Sequence, residues 1–445
     1  PAMGIARERE IGTMEQIMVT PLRPVVLLSG KCLPFAVIGL LQTYEARPDL
    51  FGDATSIPES GNGVPDLLDE VKYELDFFAR MQDASGTGGV FLKVGVDNHD
   101  ATVPLSRDTR PRYYLPECTS STLAGAGMFA MGALVYRTVP ETEAYGDELL
   151  RRAIAAWDRA TVTTEGFTTF ETDCDDQDIT SGDADRSAQE QLESAAVAAV
   201  FLYEATGEAR FGEFVMSVLD RIRPLRDRWW GPYQRGVGRA LLRFAALPGV
   251  DPVVSEQIRS SKARMNDVFS VTDYEAGTDL YRAYIDNNTH HWGSNSIRAG
   301  VGNLNLEFVE FGVNPDLSDS YRAVAMGHLH WLHGTNPLGL VMLSNMYEYG
   351  AAKSVNEFYH TWFGDGTPWD NVFDSRHGPP PGYLTGGPNK DYTGPLSPPG
   401  GQPPQKSYLD WNGGWPENSW EVTENAIYYQ SAYIELLARL MPIRE

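Results

Sequence analysis

Apolar residues recur at helical spacing along most of this chain of 445 residues, and this repetition constrains the fold more than any other feature. In the segment 65–81 they form a stripe on one helix face, made of Leu68, Val71, Leu75 and Phe78. Pro65 takes the favoured first helical position, and acidic residues follow it. Similar patterns predict helices at 121–137, 145–160, 187–206, 209–222, 252–268, 297–312, 317–333 and 424–440. Because strand signals are few and the Gly- and Pro-rich connections are long, we expect a mostly α protein whose loops carry its function.

The stretch 413–427 passes from a loop rich in Gly, Pro and Trp into the last predicted helix, and Glu424 stands at the junction. Trp415 and Trp420 are close to it in sequence. A carboxyl group beside indole rings is partly desolvated, which raises its pKa towards the range of a general acid. Such acids protonate the leaving oxygen in glycoside hydrolysis, and tryptophan faces suit sugar rings. The alternative is that Glu424 only complements the helix N-terminus.

The composition is that of a globular protein, with 42% hydrophobic and 22% charged residues. A chain of this length can bury a large core as one domain. The net charge of −24 argues against a nucleic-acid partner, because a phosphate backbone requires a basic surface. It suits a protein that acts on a neutral substrate.

The three cysteines are Cys32, Cys118 and Cys174. They lack metal-ligand spacing and are too few for a disulfide framework. We expect unpaired thiols, with a single disulfide between Cys118 and Cys174 as the alternative.

Several motifs resemble, in order, those of glycoside hydrolase family 9, the inverting cellulases. They are the stretch 413–427 together with Ile57 to Glu70, Gly88 to Val94, His333 to Gly339 and Ser354 to Trp362. The resemblance implies an (α/α)6 barrel over residues 41–445 that hydrolyses β-1,4-glucan or cello-oligosaccharides, with Glu424 as the proton donor. It also implies a monomer that requires no cofactor and belongs to a mostly secreted family, although no export signal is recognisable in this chain.

Imidazole and indole groups can hydrogen-bond to hydroxylated rings or stack on them. On the resemblance, we expect substrate contacts from His360, Trp362, Trp292, Trp415, Trp420, Tyr429, Arg376 and His377. The family pattern has a Pro-His-x-Arg element, whereas Arg376 and His377 stand here in the inverted order. The alternative for the tryptophans is burial as core aromatics.

The catalytic base cannot be identified in this sequence. The family carries an Asp-Ala-Gly-Asp motif upstream of the equivalent of Leu41, and its second aspartate is the base; the motif is absent here. Inversion requires two carboxyl groups ~6.5–9.5 Å apart. We therefore expect an impaired enzyme, with a catalytically inert carbohydrate-binding remnant as the alternative. Asp100 could substitute for the base, and Asp410 could supply a supporting carboxylate from a shifted position.

Residues 1–40 resemble a cytoplasmic loop and the following membrane helix of ABC-2 type transporter permeases. The apolar run 25–41 contains Lys31 and Pro34 and is on the short side of the ~20 residues that a spanning helix needs. We expect a foreign segment, from a fusion or a misjoined gene assembly, that truncates or replaces the first barrel helix. Membrane contact is expected only through this segment. The alternative is an unusual amphipathic N-terminal helix of the enzyme.

The loop 170–190 is strongly acidic. Within it, Ser181, Asp183 and Asp185 resemble a calcium-binding loop of some family members, since hard cations prefer oxygen ligands. A structural calcium ion is therefore one interpretation, and a solvated acidic loop is the other.

Overall fold

The computed structural model describes residues 36–442 except for 56, 97–106, 161–185, 266–278 and 361. Helices dominate this part of the chain. The α-helices are α1 (described residues 36–46), α2 (Asp66–Ser85), α3 (Thr119–Tyr136), α4 (Glu143–Ala160), α5 (Ala188–Thr206), α6 (Ala209–Val218), α7 (Arg223–Arg226), α8 (Arg235–Ala246), α9 (Pro252–Ala263), α10 (Ser294–Glu310), α11 (Ser318–Leu332), α12 (Trp420–Thr423) and α13 (Ile427–Leu440).

Short 3-10 turns and strands lie in the connections of the described chain. The 3-10 turns are Pro48–Leu50, Pro140–Thr142, Leu219–Arg221, Pro232–Gln234, Asn287–Thr289, Pro315–Leu317, Tyr347–Tyr349 and Pro404–Lys406. The strands are β1 (Val94–Gly95) and β2 (Tyr113–Tyr114), which pair antiparallel, and β3 (Val341–Ser344) and β4 (Ser354–Val355), which pair parallel.

Six of the described helices, α1, α3, α5, α8, α10 and α13, surround one cavity of about 590 Å³. These six helices line the cavity and form the inner ring. In the inner helix α3, 15 of the 18 residues are buried, against 3 of the 12 residues of the outer helix α9. An outer helix follows each of the first five inner helices, namely α2, α4, α6, α9 and α11. The expectation of a mostly helical α/α barrel is therefore confirmed.

Small residues let the inner helices approach each other closely. Helix α3 is rich in Gly, Ala and Ser, and a Cβ atom added at Gly127 would lie 3.6 Å from the Cα atom of Ala198 on α5. At Gly132 a Cβ atom would collide with Leu149 of α4. Because a close-packed interior tolerates little extra volume, glycine at position 132 lets α3 pack closely on α4, whereas the 3.6 Å at Gly127 is an ordinary contact distance.

A cluster of largely buried ion pairs joins α8, α10 and α13. Glu435 accepts hydrogen bonds from Arg235, Arg239 and Arg439, and Glu310 pairs with Arg239 and Arg439 at 2.9 and 2.6 Å. Burial alone would raise the pKa of the Glu435 carboxyl, but the three arginine charges outweigh burial and lower it. The carboxylate therefore stays charged although it is almost fully buried.

Helix α8, like the four-residue helices α7 and α12, is absent from the sequence-based prediction, whereas the predicted helices occur within a few residues of their expected bounds. The sequence of α8, RGVGRALLRFAA, interrupts the apolar pattern with glycines and arginines. Those arginines are largely buried because glutamates of neighbouring helices neutralise them. Helix α2 begins at Asp66, so Pro65 lies at the N-cap and not at the first helical position where it was expected.

Residues 36–40, at the end of the predicted foreign segment, pack in the inner ring as part of α1. Ala36, Val37 and Leu41 are buried, and the hydroxyl of Ser431 on α13 donates to the carbonyl oxygen of Ala36 at 3.1 Å. Residues 1–35 lie outside the described residues, and the domain boundary at residue 41 stays a prediction. None of the described helices is both long and apolar enough to cross a membrane.

Cys118 is buried directly before α3 and is disulfide-bonded. The expectation of an unpaired thiol is therefore wrong at this position. Its partner is not among the described residues, which contain no other cysteine. Residues that the fold brings together cannot be recognised as a pair from their sequence separation.

Candidate active site

Glu424 lies in the short connection between α12 and α13, three residues before α13 begins, and its backbone is not helical (φ −57°, ψ 140°). Its neighbours hold this connection in place. The hydroxyl of Thr423 accepts a hydrogen bond from the backbone N–H of Tyr359 at 3.1 Å and donates one to the carbonyl oxygen of Trp411 at 2.8 Å. The backbone N–H of Gly387 donates to the carbonyl oxygen of Val422 at 2.8 Å. Two loops therefore fix the backbone that carries Glu424.

The indole N–H of Trp292 donates a hydrogen bond of 3.0 Å to Oε2 of Glu424. Glu424 is only 8% exposed, whereas Trp292 is 40% exposed. Burial raises the pKa of Glu424 to about 7, and the indole N–H opposes this rise because it favours the charged carboxylate. The pair therefore provides a carboxyl group that holds a proton close to neutral pH beside an accessible aromatic surface.

Tyr359 belongs to the same cluster, although the sequence did not single it out. Its ring meets that of Trp420 at 5.4 Å in an edge-to-face arrangement. Burial and then the charge of Glu424 raise the pKa of the Tyr359 hydroxyl. Tyr359 could have been recognised from the sequence because it lies within the motif Ser354 to Trp362. Trp292 and Trp420, both expected to contact substrate, thus lie around Glu424.

Two of the other expected contact residues, Trp362 and His377, pack on Trp369. The indole of Trp362 is 4% exposed and packs edge-to-face on Trp369 at 5.8 Å, as its alternative interpretation as a core aromatic predicts. The ring of His377 stacks on that of Trp369, with 5.5 Å between the ring centres. Arg376 is exposed, and His360 is half-buried with its ring 6.1 Å from that of Phe363.

The last two expected contact residues have opposite environments. Trp415 is 82% exposed on the loop that precedes α12. Tyr429 is 2% exposed on α13 and packs beneath Gly293, where an added Cβ atom would lie 2.5 Å from the tyrosine hydroxyl. Tyr429 therefore supports the backbone next to Trp292, and only Trp415 of the two presents a free face to solvent.

The cavity inside the inner ring opens beside this cluster. Trp292, His291 and Tyr233 line it, together with residues from the N-terminal parts of α3, α5, α8, α10 and α13. Its walls carry several hydroxyl groups, those of Ser120, Ser121, Ser194, Ser296 and Ser431. Aromatic faces combined with hydroxyl groups suit a hydroxylated ligand.

The family model for glycosyl hydrolase family 9 matches residues 31–437. The chain belongs to family 9. The match includes residues 31–40, which belong to the segment that was expected to be foreign. Family 9 comprises β-1,4-glucan hydrolases, and the relatives of this chain are cellulases.

The similar curated proteins include a cellulose 1,4-beta-cellobiosidase of Acetivibrio thermocellus, 25% identical over 427 residues that cover 87% of this chain and 44% of the relative. Endoglucanase D of the same organism is 25% identical and covers 86% of this chain and 54% of its own length. Endoglucanase C of Cellulomonas fimi is 28% identical, with coverages of 88% and 35%. The chain thus spans about half the length of the two Acetivibrio thermocellus relatives and about a third of the Cellulomonas fimi relative.

Solved structures of family 9 enzymes share the fold. A metagenome-derived endoglucanase has a TM-score of 0.74 and 23% identity, and the match covers 92% of this chain and 68% of that one. A thermostable endoglucanase mutant from Alicyclobacillus acidocaldarius has a TM-score of 0.73 and 21% identity, with coverages of 92% and 71%. These similarities confirm the (α/α)6 barrel.

The expected inverting mechanism needs a second carboxylate opposite the acid. Asp100 lies outside the described residues. The base therefore remains unassigned.

Asp410 forms its described hydrogen bonds with the segment that begins at Asn356 and not with Glu424. Its carboxylate accepts hydrogen bonds from the backbone and side-chain N–H groups of Asn356 at 2.8 and 3.1 Å and from the backbone N–H of Glu357 at 3.3 Å. Burial raises the pKa of Asp410 to about 7, although these N–H groups oppose the rise. Asp410 therefore anchors the start of the segment that carries Tyr359.

No group of three His, Cys, Asp or Glu side chains within the described part of the chain could hold a metal ion. The expected calcium ligands Ser181, Asp183 and Asp185 lie outside that part, and calcium binding there stays a prediction.

Proposed function

We propose that this chain is a family 9 hydrolase of β-1,4-glucan that inverts the anomeric centre, with Glu424 as the proton donor and with turnover impaired by the missing base. The observation that carries the proposal is the buried carboxyl of Glu424 beside the exposed indole of Trp292, with its pKa raised to about 7. Such a group is largely protonated at slightly acidic pH, as a general acid must be.

The proposed reaction is a single displacement. Glu424 gives its proton to the glycosidic oxygen as the bond to the anomeric carbon breaks, and water attacks that carbon from the opposite face. The attacking water must lose a proton to a base. Because general-base assistance contributes ~10²–10⁴-fold, a site without it is expected to turn over slowly. Proton transfer between carboxyl groups and water requires no cofactor.

We infer that the substrate is a neutral β-glucan or cello-oligosaccharide bound by a monomer. The indoles of Trp292 and Trp420 and the ring of Tyr359 offer faces and edges to sugar rings beside Glu424. The strongly acidic chain disfavours nucleic acid as a partner.

The test is to incubate the full chain with cellotetraose and to compare it with Glu424→Gln, which keeps the shape of the side chain but cannot donate a carboxyl proton. Calorimetry should show binding of cellotetraose by both proteins. Slow release of shorter sugars by the natural chain alone supports the proposal, whereas equal release by the variant contradicts it.

The second candidate is a carbohydrate-binding remnant without activity. The observation that favours it is the absence of the Asp-Ala-Gly-Asp motif from the sequence. Binding of cellotetraose without any sugar release at long incubation would establish this candidate and exclude the first.

For residues 1–40 we propose membrane contact confined to this segment, on its resemblance to a transporter permease. Extraction of membranes with alkaline carbonate tests this directly. A protein that pellets with membranes after extraction supports the proposal, and complete release into the supernatant contradicts it.

A further inference from the structure

A chain of hydrogen bonds leads from Tyr233 through His291 to the backbone of Trp292. The hydroxyl of Tyr233 lies 2.5 Å from Nε2 of His291, and the two rings are stacked at 6.1 Å. Nδ1 of His291 lies 2.9 Å from the carbonyl oxygen of Trp292. Tyr233 lies two residues before α8 and Trp292 two residues before α10, so the contacts join the segments that lead into two neighbouring inner helices.

For a neutral imidazole, these contacts assign a direction to each hydrogen bond. A carbonyl oxygen only accepts, so Nδ1 of His291 must carry the hydrogen and donate it to Trp292. In the neutral imidazole Nε2 is then an acceptor, and the hydroxyl of Tyr233 donates to it. In this form, each polar group between Tyr233 and the carbonyl of Trp292 acts as either a donor or an acceptor in its hydrogen bond.

The backbone on the other side of Trp292 is also fixed. Gly293 has φ +80°, a conformation that favours glycine, and it lies against the hydroxyl of Tyr429. The peptide that carries Trp292 is therefore held at its carbonyl by His291 and at the following residue by Tyr429. An indole on a fixed peptide can keep its N–H directed at Glu424.

We propose that His291 and Tyr233 are positioning residues, which hold Trp292 so that its indole N–H meets the carboxyl of Glu424. The proposal rests on the proposed role of Glu424 as the acid. Neither residue needs to touch the reacting atoms, because both act through the orientation of Trp292.

The experiment is a titration of the Glu424 carboxyl carbon by NMR in ¹³C-glutamate-labelled full-length protein without substrate, with Glu424→Gln to assign the signal. The indole N–H favours the charged form, so its loss in Trp292→Phe should raise the titration midpoint. His291→Ala and Tyr233→Phe should raise it in the same direction. His291→Asn, whose amide can still donate to the carbonyl of Trp292, should restore part of the natural value.

A second histidine–tyrosine pair provides the matched control. Nε2 of His333 lies 2.9 Å from the hydroxyl of Tyr433, in a contact with no described bond to Trp292. His333→Ala should leave the midpoint of Glu424 unchanged.

A midpoint that rises in Trp292→Phe but stays at the natural value in both His291→Ala and Tyr233→Phe would overturn the proposal. Tyr233 is 60% exposed, so Tyr233→Phe should fold even if another variant does not. Because no sugar is present, this result is independent of whether the chain hydrolyses glucan.

Discussion

The indole N–H of Trp292 donates to the carboxyl of Glu424, 132 positions further along the chain, at 3.0 Å. Burial and this hydrogen bond act on the carboxyl in opposite directions, and burial prevails, with a resulting pKa of about 7. The contact brings together the loops before α10 and α13, two neighbouring helices of the inner ring. An acid with this pKa can serve a general acid's role at slightly acidic pH.

Glu424→Gln should stabilise the fold more at pH 8 than at pH 5. The pKa of Glu424 rises on folding from about 4.5 to about 7, so the folded state binds the proton more tightly. Stability is therefore lost as the pH rises between these values, and glutamine escapes that loss. Relative to the natural chain, the free energy of unfolding of the variant should increase by roughly 1–3 kcal/mol from pH 5 to pH 8. Urea unfolding at both pH values measures this change. An equal difference at pH 5 and pH 8 would show that the carboxyl is not desolvated.

Replacement of Asp410 should separate hydrogen bonding from charge. Asp410→Ala leaves the N–H groups of Asn356 and Glu357 without their acceptor, which should cost roughly 1–3 kcal/mol. Asp410→Asn keeps one acceptor oxygen and removes a buried charge, so at pH 8 it should be more stable than the alanine variant. Denaturant unfolding measures both. Equal stabilities would mean that Asp410 does not anchor this segment.

Glu435→Gln should destabilise the inner ring because it leaves three buried arginines without their shared carboxylate. Loss of one partner of a buried ion pair costs about 3–5 kcal/mol. The pKa of Glu435 is lowered, so its contribution is present above the unfolded pKa and disappears as the pH falls through the folded value.

The control for this change is Glu208→Gln, which breaks an exposed pair with Arg210 and should change the free energy of unfolding by less than ~1 kcal/mol. Urea unfolding at neutral pH compares the two variants. Equal effects would contradict the structural role of the buried pairs.

Gly293→Ala should be more destabilising than Gly61→Ala. Both glycines have positive φ, +80° and +92°, so alanine is strained by about 1–2 kcal/mol at either position. At Gly293 the added methyl group also meets the Tyr429 hydroxyl at 2.5 Å, whereas nothing lies within 4 Å at Gly61. Thermal unfolding should show a larger fall in Tm for Gly293→Ala. Equal falls would indicate that strain alone acts at Gly293.

The helices could be predicted where an apolar stripe faces the core, but α8 could not. Arg239 and Arg243 lie on it at positions that a pattern of apolar residues would assign to solvent. Their charges are neutralised by glutamates from other helices, among them Glu435 and Glu204. Since those partners lie 196 and 39 positions away, only the folded chain shows why arginine is tolerated there.

The candidate site could be predicted in part for a similar reason. The motifs located Glu424 before the last helix, and Trp292 was expected near the substrate. Their hydrogen bond depends on how neighbouring loops meet, which spacing along the chain does not contain. Trp362 illustrates the converse, because an indole in a motif can be buried in packing rather than exposed to a ligand.

The central claim, a retained acid without its base, is tested most directly by supplying an external nucleophile. Azide is small and needs no base, so it can attack the anomeric carbon while Glu424 protonates the leaving oxygen. With cellotetraose and azide, the natural chain should consume the sugar faster than without azide and form a glycosyl azide of inverted, α configuration. Glu424→Gln should form none. A natural chain that forms no azide product, or a variant that forms it equally well, would contradict the account.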